Sequence, residues 1–165
     1  MKKSFHIFLF TLCSSLFVKS QVKASDKHVF WKTYYEPSKE NLNEGSIVFE
    51  AVVDSGFQMF ARNQMPQLPV GIEIAIKKSK DFELKGELIA PLPAISFSHT
   101  YKMPVAVYKG KVQFRQKIVL KTKKEFVLNA TVENEETSNT EKVVFYKNDV
   151  VVSVRPQKGV RLKFL

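Results

Sequence analysis

The chain has 165 residues, with 26 Lys and Arg, 16 Asp and Glu and a single Cys, so its formal net charge is +10. One cysteine cannot form an internal disulfide, and one cysteine with three histidines is a poor inventory for a zinc site. Hydrophobic residues make up 44% of the chain and aromatic residues 12%, which excludes a disordered basic tail. The composition indicates one globular domain with a core.

The first 24 residues have the pattern of a secretory signal peptide. A basic start, Met-Lys-Lys, precedes a dense apolar run at residues 5–18. This run is shorter than the roughly 18–20 residues that cross a bilayer. We predict cleavage after Ala24, with Ser20 as the second candidate site and an uncleaved membrane anchor as the alternative. The protein is therefore expected to be exported, to the periplasm or beyond the cell, with no stable membrane span after cleavage.

Cys13 lies inside this apolar run. A lipid-attachment cysteine needs a small residue directly before it, whereas Leu12 is bulky, so a lipoprotein is the weaker interpretation.

Residues 1–24 also hold four of the 26 basic residues and no acidic one. Their removal leaves 22 basic and 16 acidic residues, a net charge of +6. Residues 25–165 are then a single cysteine-free domain that must be stabilised by packing alone.

Short strand-like segments follow one another along residues 46–155. Alternation is clearest in two of them: Val70, Ile72, Ile74 and Ile76 share one face of the first, and Val112, Phe114, Gln116, Ile118 and Leu120 share one face of the second. A period of two residues is typical of half-buried strands, and no window has a helical stripe. We predict an all-β fold, an immunoglobulin-like antiparallel β-sandwich. The predicted strands are residues 46–53, 57–62, 70–77, 82–88, 104–108, 111–121, 126–133, 142–146 and 149–155.

Turn-forming residues separate these segments. Residues 25–45 mix aromatic residues with turn formers, Gly110 suits a tight reversal, and the pair Asn148 and Asp149 suits another turn. Three prolines frame residues 92–103, which predicts a long loop across one end of the domain rather than a central strand.

The chain carries few groups that suit catalysis. Beyond the first 24 residues the only imidazoles are those of His28 and His99, and neither lies in a nucleophile-elbow or metal-ligand pattern. No glycine-rich phosphate loop occurs, so we predict no catalytic residue, no metal and no cofactor. His99 is predicted to be a loop residue beside an aromatic side chain.

Basic residues are concentrated in two internal runs and at the end of the chain. Residues 77–80 and 121–124 each hold three lysines and are followed by an acidic residue. Solvated turns are the first interpretation, and weak binding to an anionic envelope surface or a polyanion is the alternative. We expect no nucleic-acid partner, because no platform of exposed aromatic and basic residues is evident.

The stretch from Gly56 to Leu120 resembles the N-terminal periplasmic domain of the thiol:disulfide interchange protein DsbD. The likeness rests on three stretches in the family's order: DSGFQMFAR, QLPVGIEIAIKKSKDFELKGEL and APLPAISFSHTYKMPVAVYKGKVQFRQKIVL. They resemble, in turn, a Gly-aromatic strand, a Pro-led strand, and a proline loop with an aromatic-bearing loop, a reversal and a long strand. The resemblance implies an immunoglobulin-like fold and a place near thiol–disulfide exchange.

The family's redox groups are missing. The resemblance places two cysteines and a Pro-Pro pair in a later hairpin, and the matching residues 126–146 have no Cys and no Pro. A polar turn at residues 133–141 is predicted in their place. Thiol–disulfide exchange needs a thiolate, so the resemblance implies no reductase activity. It carries over one residue, Tyr101, at the position of the aromatic that caps the cysteine pair.

Two functions of different class follow. The first is a non-catalytic binding or accessory module whose end loops, residues 90–103 and 133–141, bind another envelope protein, for example from thiol–disulfide or cytochrome maturation pathways. Tyr101, His99 and Met103 are its candidate partner-binding residues. The alternative is a hydrolase or another enzyme with an unrecognised site. A deep pocket with His99 beside a carboxylate would support it.

Overall fold

The structure is a computed structural model that describes residues 27–62, 71–138 and 143–157. The predicted signal peptide, its cleavage sites, Cys13 and the basic residues 158–165 lie outside these ranges. The strands are β1 (Val29–Pro37), β2 (Glu44–Val53), β3 (Phe57–Phe60), β4 (Glu73–Ile76), β5 (Phe82–Ile89), β6 (Ala94–Ser98), β7 (Met103–Tyr108), β8 (Lys111–Leu120), β9 (Phe126–Ser138) and β10 (Val143–Val154).

These strands form two antiparallel sheets. The first has the order β1-β2-β8-β5, and the second has the order β10-β9-β3-β7-β6, with β4 beside β9. The order agrees with the A-B-E-D and G-F-C sheets of an immunoglobulin domain, with β7 and β6 extending the G-F-C sheet. The predicted all-β, immunoglobulin-like sandwich is therefore confirmed. One departure is that β5, in the D position, precedes β6 and β7 in the chain.

The core lies between the sheets, where the predicted alternation places it. On β8, Phe114, Ile118 and Leu120 are buried in the main cluster and Val112 packs against it. On the first alternating segment Ile72 is buried and Ile74 and Ile76 pack against the same cluster, while Val70 lies outside the described ranges. Burial of every second side chain removes apolar surface from water at roughly 25 cal/mol per Å², which holds the two sheets together.

One of the five inward residues of β8, Gln116, is polar, and an irregularity in β5 explains it. The β5–β8 register shifts between Lys85 and Ile89. Gln116 is buried, and its Nε2 donates to the carbonyl oxygens of Gly86 at 3.2 Å and Lys117 at 3.0 Å. The buried amide therefore finds backbone acceptors where the register of the ladder shifts.

One connection requires glycine. Gly71 has a φ of 72°, and a Cβ placed there would lie 2.1 Å from the carbonyl oxygen of Ala61. The N–H of the next residue, Ile72, donates to the carbonyl oxygen of Phe60 at 3.1 Å. The backbone just before β4 therefore lies directly against the end of β3, and only glycine fits at position 71.

Two parts of the chain that were predicted to be irregular are strands. Residues 29–37 form β1, which pairs along its whole length with β2. Residues 94–98 form β6, the edge of the second sheet, so the predicted loop at residues 92–103 is wrong in its middle. Both are terminal strands of their sheets, where pairing on one side is enough and a proline at the strand end is tolerated.

The predicted break at Asn148 and Asp149 is also wrong. β10 continues from Val143 to Val154 and pairs with β9 throughout, from Phe126↔Val154 to Thr137↔Val143. The predicted turn at residues 133–141 is therefore strand up to Ser138. Thr131 Oγ1 donates to Asp149 Oδ1 at 3.1 Å across this pair, so a side chain typical of turns is accommodated inside the ladder.

The two basic runs lie where turns were expected. Residues 77–81 connect β4 to β5 and residues 121–125 connect β8 to β9, and their lysines are exposed. Gly110 has a φ of 63° in the tight β7–β8 reversal, as predicted. No helix in the described ranges is long and apolar enough to span a membrane.

Candidate functional site

The turn between β6 and β7 holds two of the three candidate residues. It consists of residues 99–102, and Lys102 takes a φ of 54°. The preceding Ser98 is buried, and its Oγ accepts a hydrogen bond from the Tyr101 N–H at 3.3 Å. This side chain-to-backbone bond fixes the direction in which the turn presents Tyr101.

Tyr101 folds onto the outer face of the six-stranded sheet. Its ring meets Phe60 edge-on, with ring centroids 6.1 Å apart. Phe60, Val105 and Val107 form a small buried cluster that is separate from the main core, and Tyr101, Met103 and Val143 pack against it, each partly buried. Two candidate residues, Tyr101 and Met103, therefore share one apolar surface, which we call the outer cluster.

The pKa of Tyr101 is raised, first by burial of the phenol and second by the negative charge of Glu135. Glu135 lies on β9, and Met59 and Phe57 of β3 pair with Glu136 and Ser138 of the same strand. The turn therefore lies over the β3–β9 region of the sheet. Both effects favour the neutral phenol over the phenolate.

His99, the third candidate, lies beside the outer cluster and outside it. The imidazole is exposed and meets Phe97 edge-on at 5.3 Å between centroids. It lines a small polar pocket of about 190 Å³ together with Gln58, Ser96, Phe97, Ser98, Lys109, Thr137 and Ser138. None of these described lining residues is a carboxylate, and the volume is below the roughly 300 Å³ at which ligand pockets begin.

The two segments predicted as end loops therefore meet. Residues 98 and 99 share the pocket with Thr137 and Ser138, while Tyr101 lies near Glu135. The sequence predicted both segments and the three residues, but it gave no sign that the β6–β7 turn reaches the far end of β9. The resulting surface combines an apolar patch with hydroxyl, amide and cationic groups.

The sequence did not predict a polar layer under this surface. Glu136 faces inward from β9 and is 2% exposed, and its Oε1 accepts a hydrogen bond from the His28 N–H at 3.1 Å. Among the described residues its Oε2 has no hydrogen-bond partner. Burial raises the pKa of Glu136, and the His28 N–H, the His28 and Lys27 charges and the Tyr146 side chain oppose that shift.

Asn134 is the second member of this layer and is fully buried. Its Oδ1 accepts a hydrogen bond from Trp31 Nε1 at 3.2 Å, while its Nδ2 lacks a partner within the described ranges. The alternation of β9 contained the signal that would have found both residues. Leu128, Ala130 and Val132 face the core, and the same parity continues to residues 134 and 136.

Groups for redox or metal chemistry are scarce around this surface within the described ranges. The only cysteine of the chain is Cys13, so no second thiol can complete a redox pair. The described ranges contain no group of three His, Cys, Asp or Glu residues that can hold a metal ion. What the surface presents is the partly buried side chains of Tyr101 and Met103 over a buried apolar cluster, with polar groups around them.

Comparison with solved structures shows what the fold is similar to. The N-terminal periplasmic domain of ScsB from Proteus mirabilis matches with a TM-score of 0.54 and 17% identity, over 81% of this chain and 49% of that one. The chain thus spans about half the length of the ScsB structure.

The DsbD N-terminal domain of Neisseria meningitidis, in its reduced form, matches with a TM-score of 0.47 and 8% identity, over 77% of this chain and 90% of that one. The complex of the DsbD and PilB N-terminal domains from the same organism matches with a TM-score of 0.44 and 10% identity, over 84% and 95%. No protein-family model and no curated protein matches the chain.

Proposed function

We propose that this chain is a non-catalytic protein-binding or accessory module of the cell envelope, with the outer cluster and the adjoining pocket as its docking surface. The observation that carries the proposal is the meeting of the β6–β7 turn with the end of β9. It places Tyr101 and Met103 beside His99, Thr137 and Ser138.

Physical properties of this surface support docking. Tyr101 is already packed against Phe60, so little side-chain entropy is lost when a partner covers it. Tyrosine is enriched among interface residues that dominate affinity, because its ring buries a large area and its hydroxyl retains a hydrogen bond. Polar groups surround it, which is how the rim of an interface excludes water.

The cellular setting rests on two supports. The apolar start of the chain has the pattern of an export signal, and the ScsB domain that shares the fold is a periplasmic one. The sequence resemblance to the DsbD N-terminal domain adds the link to thiol–disulfide or cytochrome maturation pathways. Because the cysteine pair is missing, the module's part in such a pathway is to bind a protein rather than to transfer electrons.

Site-specific photocrosslinking in the envelope tests the docking surface. A photoreactive amino acid at position 100, in the β6–β7 turn, is expected to give one saturable crosslinked species. The same amino acid at Lys123 is the matched control, since this exposed turn residue precedes the opposite end of β9. Excess unmodified protein should compete the product away, and Tyr101→Ala should abolish it without loss of the folded circular dichroism spectrum.

Two outcomes contradict the proposal. One is an equal yield of the same product from positions 100 and 123, which indicates nonspecific proximity. The other is catalytic reduction of insulin disulfides by the purified chain, which would show redox activity that a single cysteine does not predict. Tyr101→Phe separates the contributions of the ring and the hydroxyl, because it keeps the packing on Phe60 and removes only the hydrogen-bonding group.

A further inference from the structure

The two basic runs, which are far apart in sequence, lie side by side at one end of the sandwich. The Lys121 N–H donates to the Asp81 carbonyl oxygen at 2.8 Å, and Phe82 pairs with Leu120 in the sheet. The rings of Phe82 and Phe126 stack 5.8 Å apart at 9°, directly below the two turns. We call this end, with residues 77–81 and 121–125, the basic end.

Most of the acidic groups here are already paired. Lys121 Nζ contacts Glu83 at 2.7 Å, and Arg155 Nε contacts Glu125 at 3.5 Å. Asp81 Oδ2 accepts a hydrogen bond from Ser79 Oγ at 3.1 Å. The remaining cations are exposed and form no ion pair within the described ranges: Lys77, Lys78, Lys80, Lys123 and Lys124. A cationic surface therefore remains after local neutralisation.

A third loop adds an apolar side chain to this surface. The Leu120 N–H donates to the Asn43 carbonyl oxygen at 2.7 Å, which brings the β1–β2 loop to the same end. Leu42 in that loop is 47% exposed, and the exposed Lys39 lies three residues before it. Glu40, also exposed, lies between Lys39 and Leu42 in the chain, so the cations near this leucine come mainly from the two neighbouring turns. An exposed leucine beside cationic turns suits contact with the boundary between lipid headgroups and acyl chains.

The basic end lies far from the docking surface. β9 starts at Phe126, beside the 121–125 turn, and ends at Ser138, beside His99. Twelve steps of about 3.3 Å give a separation of roughly 40 Å along the strand. A partner that binds at the basic end therefore leaves the Tyr101 turn accessible.

We propose that the basic end binds the surface of an anionic phospholipid membrane and holds the domain with its docking surface pointing away from the bilayer. Charge complementarity supports this partner: five exposed lysines on two adjacent turns form separate point charges that mobile headgroups can match. Single-stranded nucleic acid is a poorer fit, because Phe82 and Phe126 stack on each other and face the core instead of offering a base-stacking platform.

Vesicle cosedimentation of the full chain tests the proposal. Vesicles of phosphatidylcholine with 30% phosphatidylglycerol measure the electrostatic binding, and pure phosphatidylcholine vesicles measure what the apolar residues 5–18 bind by themselves. The quartet K78Q/K80Q/K123Q/K124Q is expected to lower partitioning onto anionic vesicles by about tenfold or more. The control quartet K32Q/K111Q/K117Q/K147Q removes the same formal charge elsewhere and should lower partitioning by less than about threefold. Because Lys111 and Lys147 are paired with Glu50 and Glu133, the pair K32Q/K117Q against K123Q/K124Q repeats the comparison with lysines that form no ion pair within the described ranges.

Raising the NaCl concentration from 0.05 to 0.5 M should release the wild-type chain from anionic vesicles to the level seen with neutral ones, since salt screens exposed charges. Equal losses in the two quartets would overturn the proposal, because net charge rather than the basic end would then control binding. Equal partitioning onto both kinds of vesicle, or binding to free polyphosphate or DNA without vesicle binding, would also overturn it. Neither quartet alters the Tyr101 turn, so the crosslinking test of the docking surface stands separately.

Discussion

The two halves of β9 are buried equally well but are built from different side chains. In the first half, Leu128, Ala130 and Val132 face the main core and are at most 5% exposed. In the second half, Asn134 and Glu136 face the same way and are at most 2% exposed. The apolar half stabilises the fold, whereas in the polar half, which lies under the docking surface, each of the two inward side chains keeps one polar atom without a hydrogen bond in the described ranges: Asn134 Nδ2 and Glu136 Oε2.

This difference separates stability from function along one strand. A buried apolar side chain contributes by leaving water, and an incompletely paired polar one subtracts from that gain. If the polar half is retained for the surface above it, then changes there should affect stability less than changes in the apolar half, and one of them should increase it. Four substitutions on β9 test this contrast.

Leu128→Ala should have the largest effect. The side chain is 1% exposed in the middle of the core, so its loss removes apolar contacts and leaves a cavity. We expect the free energy of unfolding, measured with urea, to fall by about 3 kcal/mol. Val127→Ala is the control. The Val127 side chain is 55% exposed, so this substitution should change the free energy of unfolding by less than about 1 kcal/mol. Similar losses from both would show that this half is not tightly packed.

Asn134→Ala should come second, at about 2 kcal/mol, because it leaves the Trp31 Nε1 donor without its acceptor. A double-mutant cycle with Trp31→Phe identifies the cause. If the hydrogen bond matters, Asn134→Ala should cost much less in the Trp31→Phe background, where no donor remains. Additive losses in the cycle would contradict this explanation.

Glu136→Gln should stabilise the protein at neutral pH by about 1 kcal/mol, because it removes a buried negative charge and keeps an oxygen that can accept the His28 N–H. Burial raises the pKa of Glu136 in the folded state, so the folded protein holds this proton more tightly than the unfolded chain. The Glu136 contribution to stability is therefore full below the unfolded pKa near 4.5 and is lost as pH rises through the folded value.

The measurement is the unfolding free energy of both proteins from pH 4 to pH 8. The advantage of Glu136→Gln over the wild type should grow with pH across this window. A constant difference would mean that the proton on Glu136 does not control stability. A disadvantage that grows with pH would mean that the carboxylate is the favoured form in the folded protein.

Glu133→Gln should have the smallest effect of the four. Glu133 Oε1 contacts Lys147 Nζ at 2.7 Å on the outer surface of the hairpin, where solvent screens the pair. We expect a small loss of stability that disappears in 0.5 M NaCl. A loss comparable to that of Asn134→Ala, or one that persists in high salt, would show that the outer face of this half also carries stability.

The strands predicted from alternation were found where the pattern was strong. The segment that contains β4 has four apolar residues at a spacing of two, and β8 has five inward residues at the same spacing. Those that lie within the described ranges face the core. β1 and β6 have no such pattern, because an edge strand pairs on one side and exposes more of its surface. The break predicted at Asn148 was wrong because pairing with β9 compensates for weak local strand preference.

The candidate site was predictable only in part. Tyr101, His99 and Met103 came from one segment, and the structure places two of them on the outer cluster and the third beside the polar pocket. Glu136 and Asn134 were missed because polar residues at the end of a strand look like a turn when only composition is considered. Their burial depends on two other strands. β1 lies more than a hundred residues earlier in the chain, and β10 is the next strand after β9.

The sequence by itself determined the class of the fold, the strongest strands and the lack of a cysteine pair. These properties depend on composition or on the period of two along a single strand, and both are local. Only the tertiary structure decided that the β6–β7 turn meets the end of β9 and that residues 77–81 lie beside residues 121–125. Sheet order and register bring those segments together, and both depend on pairing between strands that are distant in the chain.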